Sequence, residues 1–170
     1  MSEELSAQDI EELIRTTTTG QIAGMLAEPI QGVGGFITPP KEYFQVAVAI
    51  VRKYGGLFVA DEVQTGFGRT GGKMWGFEQY GLEPDIVTMA KGIGNGAPLA
   101  AVVTTPKIAA VMAQKVHFNT FGGNPVVSAI GQAVLEVIDN EKTQANCLEL
   151  GNYILAGLNQ LKARHKVIGD

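Results

Sequence analysis

Leu57-Phe58-Val59-Ala60 is an unbroken apolar run that ends on Asp61-Glu62-Val63-Gln64, and Ile86-Val87-Thr88-Met89-Ala90 ends in the same way on Lys91 and a glycine loop. Runs of this length that are apolar on both faces read as strands covered on both sides. Upstream, Ile22 to Ile30 is a further apolar run, closed by Pro29 and the glycines at 32, 34 and 35. Ala101-Val102-Val103 follows the second run and ends at Thr104-Thr105-Pro106. Between the first two strands, Thr38-Pro39-Pro40 reads as a helix start with proline in the first turn. Phe44, Ala47, Val48, Val51 and Tyr54 then recur at helical spacing until Gly55-Gly56 stops the helix. Residues 3–15 carry Leu5, Ile10, Leu13 and Ile14 among charges, and further helical segments fall at about 107–115, 125–139 and 143–164. Alternating strands and helices predict an α/β fold, a three-layer αβα arrangement with a largely parallel sheet.

Composition narrows the class. The chain has 170 residues, of which 45% are hydrophobic and 18% charged, too apolar for disorder. A formal charge of −4 without a basic stripe argues against a nucleic-acid partner. The one cysteine, Cys147, excludes an internal disulfide framework. No apolar run reaches the roughly 18 residues of a membrane-spanning helix, so a soluble protein is expected. Twenty-two glycines are well above the average share, and both ends of the chain are blunt, which reads as a piece of something larger.

In an open α/β sheet, ligands bind beyond the carboxyl ends of the strands. Those ends hold Glu28, Asp61, Gln64 and Lys91. A desolvated lysine has a lowered pKa, and its neutral amine can attack a carbonyl to form a Schiff base. A carboxylate such as Asp61 after an apolar strand needs a cation or donors, and a protonated ring nitrogen would satisfy it. Gln64 can donate to a phenolate oxygen, and Val63 can pack on a ring face. Thr120, just before a helix in Asn119-Thr120-Phe121-Gly122-Gly123-Asn124-Pro125, can contribute to an anion site. Each residue taken singly has a plainer explanation: a surface lysine, a turn aspartate, a core valine, an N-cap threonine. His117, His165 and Cys147 lack metal-ligand spacing, so no metal site is expected. Trp75 and Phe77 read as loop packing, and Arg69 as a partner in an ion pair within its loop.

Taken together the segments are no longer independent. Glu28-Pro29-Ile30-Gln31-Gly32, Asp61-Glu62-Val63-Gln64-Thr65-Gly66-Phe67-Gly68-Arg69-Thr70-Gly71, Ala90-Lys91-Gly92 and Thr120-Phe121-Gly122-Gly123-Asn124-Pro125 resemble, in order and spacing, the class III (ω-amino-acid) pyridoxal-phosphate aminotransferases. Met89-Ala90-Lys91-Gly92-Ile93-Gly94-Asn95-Gly96 and His117-Phe118-Asn119-Thr120 look closest to the alanine–glyoxylate branch. The resemblance implies the large domain of a fold-type I transferase, with residues 1–19 an N-terminal helix and polar connection and 20–170 a partial cofactor-binding domain. It implies pyridoxal 5'-phosphate as cofactor, Lys91 as Schiff-base lysine and proton shuttle, and Asp61 as partner of the ring nitrogen. Val63 would lie against the ring, and Gln64 would address the ring hydroxyl oxygen. Thr120 would bind the cofactor phosphate in the neighbouring subunit of a homodimer, and Glu28 would stand on the substrate side. The implied reaction carries an amino group from an amino acid such as alanine to glyoxylate or pyruvate. The implied compartment is the mitochondrial matrix or the cytoplasm.

The glycine-serine phosphate loop and stacking aromatic of the family do not occur before residue 20, and its C-terminal domain would begin past Asp170. The 170 residues alone are therefore expected to be inactive. Two alternatives stand beside the main reading: a same-fold aminomutase, racemase or decarboxylase, and a non-catalytic truncated interaction module.

Overall fold

The run at 57–61 becomes strand β2 (Leu57–Asp61), and it sits inside the sheet. The computed structural model describes residues 3–169; Met1, Ser2 and Asp170, the outermost residues of the two expected segments, lie outside the described residues, as does the side chain of Leu5. Beside β2 lie β1 (Gly24–Ala27), β3 (Ile86–Met89) and β4 (Ala101–Thr104), in the spatial order β1-β2-β3-β4. The pairs β1–β2 and β2–β3 are parallel, whereas β3–β4 is antiparallel. The sheet is thus mixed, with its parallel part at the end that matters for the site.

Strand β1 is shorter than the apolar run from 22 to 30. Pro29 has no amide to donate to a ladder, and Glu28 turns its carboxylate back to the Gly32 amide, so the chain leaves the sheet at Ala27.

Helix α1 (Glu3–Thr17) leads into β1, and α2 (Lys41–Lys53) carries the chain from β1 to β2. Pro40 has a ψ of 150° and precedes the first helical residue, so proline caps α2 rather than standing in its first turn. Phe44, Ala47, Val48 and Val51 are buried on one stripe of α2, the spacing of an amphipathic helix facing a sheet. Phe44 and Val48 meet Phe58 and Ala60 from β2 and Tyr80 from a short 3-10 turn, Gly76–Tyr80. The Phe44 and Tyr80 rings meet edge-on with centroids 4.9 Å apart, a preferred aromatic geometry.

Register assigns the faces. Phe58 and Ala60 point to α2, so Val59 and Asp61 point the other way, in step with Leu26 on β1 and Thr88 and Val102 on neighbouring strands. Leu26 is 63% exposed and Val102 67%, so at both flanks this second face stays open among the described residues.

Helix α3 (Pro106–Met112) ends before the expected 115, because the amides of Gln114 and Lys115 bond back three residues in a tightened turn. Helices α4 (Pro125–Glu141) and α5 (Thr143–Arg164) complete the chain, α4 packing beside the loop that follows β3.

Candidate active site

Three adjacent parallel strands bring three candidate residues to one edge of the sheet. Ala27 and Ala60 are register partners, so Glu28 and Asp61 each stand one residue beyond that pair on neighbouring strands. Asp61 is in turn the register partner of Thr88, and Lys91 follows β3 after Met89 and Ala90. The expected placement at the carboxyl ends of parallel strands is the one observed.

Asp61 is half-buried, and its Oδ1 accepts the Val63 amide at 3.1 Å. That bond turns the chain where β2 ends, just ahead of Gln64. Asp61 forms no ion pair among the described residues. With Glu28, Gln31 and Tyr43 it lines a cavity of about 320 Å³. Glu28 Oε2 accepts the Gly32 amide at 3.0 Å. Gln64 lies across the same glycine, where a β-carbon would overlap its carboxamide. Glu28 and Gln64 therefore meet at Gly32 although they come from different strands.

Lys91 has a φ of 44°, in the left-handed region, and its side chain is exposed. For a residue with a β-carbon this conformation is uncommon and persists where its surroundings impose it. The loop imposes it: the Gly94 amide donates to the Lys91 carbonyl at 3.2 Å, and the Ala97 amide to the Gly94 carbonyl at 2.9 Å. A β-carbon at Gly94 would overlap the Ala97 carbonyl, so only glycine closes this turn. Lys91 lines a second cavity, about 420 Å³, with Pro98, Asn119, Phe121, Gly122 and Val127. The lysine thus faces the loop that leads into α4.

Thr120 belongs to that loop but is not the N-cap of α4. Asn124 caps the helix, its Oδ1 accepting the amides of Val126 at 3.0 Å and Val127 at 3.3 Å. The amides of Phe121 and Gly122 are taken by Asn119 Oδ1. Thr120 is exposed, and it is its neighbours Asn119 and Phe121 that line the Lys91 cavity. The plain N-cap explanation of Thr120 is thereby overturned: asparagine four residues later, followed by proline at the first helical position, is the stronger cap.

Sequence reasoning missed Glu62, which is 0% exposed. Its carboxylate accepts the Thr65 hydroxyl at 2.6 Å and the amides of Gly76 and Phe77 at 2.9 and 2.8 Å. Its own amide donates to the Thr88 carbonyl at 2.9 Å. Glu62 therefore ties the turn after β2 both to segment 76–77 and to the strand that delivers Lys91. The signal was present in the alternation: Phe58, Ala60 and Glu62 fall in step on the covered face. Tyr80 was likewise missed. Its hydroxyl donates to the Pro29 carbonyl at 2.8 Å beneath the Glu28 turn, and burial raises its pKa.

Trp75 packs edge-on against Phe67, centroids 5.1 Å apart at 70°, the loop packing expected of it. Arg69 departs from expectation: it is exposed and forms no ion pair among the described residues, because no carboxylate of its loop stands within reach. Among the described residues, no group of three or more His, Cys, Asp or Glu side chains is placed to hold a metal ion. No helix of the described residues is long and apolar enough to cross a membrane.

A strand-end lysine facing a helix-leading loop, an aspartate on the neighbouring strand, and the glycine-bounded turns between them define a class of protein. Residues 1–170 match the aminotransferase class-III family, and the chain belongs to it. It is 56% identical over 164 residues to alanine–glyoxylate aminotransferase 2 homolog 2, mitochondrial, of Arabidopsis thaliana, covering 96% of this chain and 34% of that relative. It is 51% identical over 164 residues to the human alanine–glyoxylate aminotransferase 2, mitochondrial, covering 96% of this chain and 32% of that protein. The chain thus spans about a third of the length of the curated relatives it matches. Its fold is that of solved transaminases. A transaminase from the marine bacterium Virgibacillus superposes with a TM-score of 0.92 at 38% identity, over 99% of this chain and 39% of that one. An S-selective transaminase from Arthrobacter with alanine bound gives 0.89 at 38% identity, over 98% of this chain and 36% of that one.

Proposed function

We propose that this chain supplies the lysine-bearing half of a pyridoxal-phosphate aminotransferase site, moving an amino group from an amino acid such as alanine to a keto acid such as glyoxylate or pyruvate. The observation that carries this reading is the arrival of Glu28, Asp61 and Lys91 at one edge of the sheet from three adjacent parallel strands. The two alanine–glyoxylate aminotransferases it resembles support the substrate class.

The residues fit the cofactor. Asp61 presents a half-buried carboxylate without a cation of its own, the chemistry a protonated ring nitrogen requires. The Gln64 carboxamide, seated on Gly32, is a donor for a ring hydroxyl oxygen. Val63, next to Gln64 and two residues from Asp61, offers an apolar face. When bound, pyridoxal phosphate supplies an aldehyde that condenses with amines and a ring that withdraws electrons.

The chain's own residues would do the rest. Lys91 Nζ would hold the cofactor and, once freed by the incoming amine, would take the proton from the substrate α-carbon and pass it to the cofactor, the second half-reaction running the same transfer in reverse onto the keto acid. Asp61 keeps the ring nitrogen protonated through a charge-assisted hydrogen bond. Glu28, held by Gly32, stands on the substrate side. Thr120, exposed beside the Lys91 cavity, is free to serve the phosphate site of a partner subunit in a homodimer. On this reading, residues 20–170 are part of the cofactor-binding domain.

The test is chemical. The full chain is incubated with pyridoxal phosphate, reduced with borohydride and digested, and the peptides are mapped. The label is expected on Lys91, and a label on Lys73 or Lys107 overturns the assignment. Amino-group transfer from alanine to glyoxylate, assayed on the full-length enzyme, then separates transamination from racemisation or decarboxylation.

A further inference from the structure

Gly32 touches no reacting atom in the chemistry above, yet two site residues converge on it. Its amide donates to Glu28 Oε2 at 3.0 Å. A β-carbon at this position would overlap the Gln64 carboxamide nitrogen, reach 2.7 Å from Gln64 Cδ, and stand 3.1 Å from Glu28 Oε2. All three neighbours are side-chain atoms. The backbone of residue 32 lies outside the left-handed region, so a residue with a β-carbon can adopt it without strain.

The turn that carries Gly32 is itself held. The Gln31 amide donates to the Ile37 carbonyl at 2.9 Å, and the Tyr80 hydroxyl reaches the Pro29 carbonyl at 2.8 Å. Pro29 is fully buried. Between an anchored turn and the end of a flexible side chain, the side chain gives way.

We propose that Gly32 is a positioning residue: its bare α-carbon is the seat that sets the Gln64 carboxamide beside Glu28, and any larger residue there displaces Gln64 without disturbing the fold. The proposal rests on the reading of Gln64 as donor to the cofactor's ring hydroxyl, and it adds the residue that aims that donor.

The test compares Gly32→Ala, Gln64→Ala and the double variant in the full-length enzyme, freed of cofactor and titrated with pyridoxal phosphate by fluorescence. Gln64→Ala should weaken cofactor affinity by roughly tenfold or more, the worth of a hydrogen bond to a charged group. Gly32→Ala should weaken it by a similar factor, and the double variant should lose no more than either single one. The thermal midpoint of Gly32→Ala should stay close to that of the unmodified protein. A crystal structure of Gly32→Ala should show Gln64 turned away from Glu28. Unaltered cofactor affinity in Gly32→Ala, multiplied losses in the double variant, or a large fall in its thermal midpoint overturns the proposal. If Gln64→Ala alone binds cofactor normally, the ring-hydroxyl reading of Gln64 fails. The crystal position of Gln64 then still decides whether Gly32 seats it.

Discussion

Asp61 and Glu62 are consecutive in the chain, yet their carboxylates go to opposite faces of the sheet. Glu62 is sealed on the covered side under the Thr65 hydroxyl and the amides of Gly76 and Phe77. Asp61 looks to the open side with a single bond to the Val63 amide. Strand alternation separates them, and it gives one carboxylate to structure and leaves the other for a ligand.

The structural partner is the easier to test. Glu62→Gln keeps the shape but sets an NH₂ group against N–H or O–H donors, leaving at least one buried donor without an acceptor. The expected loss is about 1–3 kcal/mol of stability, read as a lower urea midpoint with an unchanged slope. A midpoint equal to that of the unmodified protein would mean that the three bonds contribute nothing net.

For Asp61 the expectation is reversed. Asp61→Ala removes one hydrogen bond to Val63 and little packing, so the stability read from urea unfolding should change by about 1 kcal/mol or less. In the full-length enzyme, proton abstraction from the amino-acid substrate should slow by roughly ten- to more than a hundredfold, the cost of a lost charge-assisted bond. Full activity in that variant would remove Asp61 from the site.

The contact between α1 and α2 should depend on pH. Glu11 accepts from Lys53 Nζ at 2.6 Å and from the Tyr54 hydroxyl at 2.8 Å. The hydrogen bond from Lys53, then that from Tyr54, lowers the Glu11 pKa below its ordinary 4.5. The bond to Glu11 raises Lys53 above 10.5 and Tyr54 above 10.0. A lowered carboxylate stabilises the fold above its unfolded pKa, and that contribution is lost as pH falls through the folded value. The raised groups stabilise below their unfolded values and lose that contribution as pH rises through the folded ones. Protection factors of the α1 amides against hydrogen exchange, corrected for the intrinsic pH dependence of exchange, should therefore be highest between these limits and fall below about pH 4.5 and above about pH 10. Glu11→Gln should flatten both limbs; an unchanged profile would assign the dependence to other groups.

Asn124→Ala should destabilise α4 by about 0.5–2 kcal/mol, since two amides lose their acceptor. Circular dichroism melts of this variant beside Thr120→Ala give the comparison. The threonine change should have little effect on the melt, because Thr120 makes no cap bond and is exposed.

The strands, the order of strands and helices, and the residues at the strand ends are legible in the amino-acid sequence. Apolar runs that stop on Asp61 or near Lys91 are local signals, set by what a covered strand tolerates and where it must end. The stripe of Phe44, Ala47, Val48 and Val51 is local in the same sense, and α2 follows it. Motif spacing added the family, because several short segments had to agree at once. Which residues meet is set by the folded arrangement. Glu62 binds residues 14 and 15 positions away, and Tyr80 reaches Pro29 across 51. Gln64 rests on Gly32, Lys91 is held in a left-handed turn, and Arg69 finds no carboxylate. Periodicity along one segment says which face a side chain takes. What stands opposite that face depends on how distant segments close on each other, and that is settled by packing and hydrogen-bond satisfaction across the whole sheet.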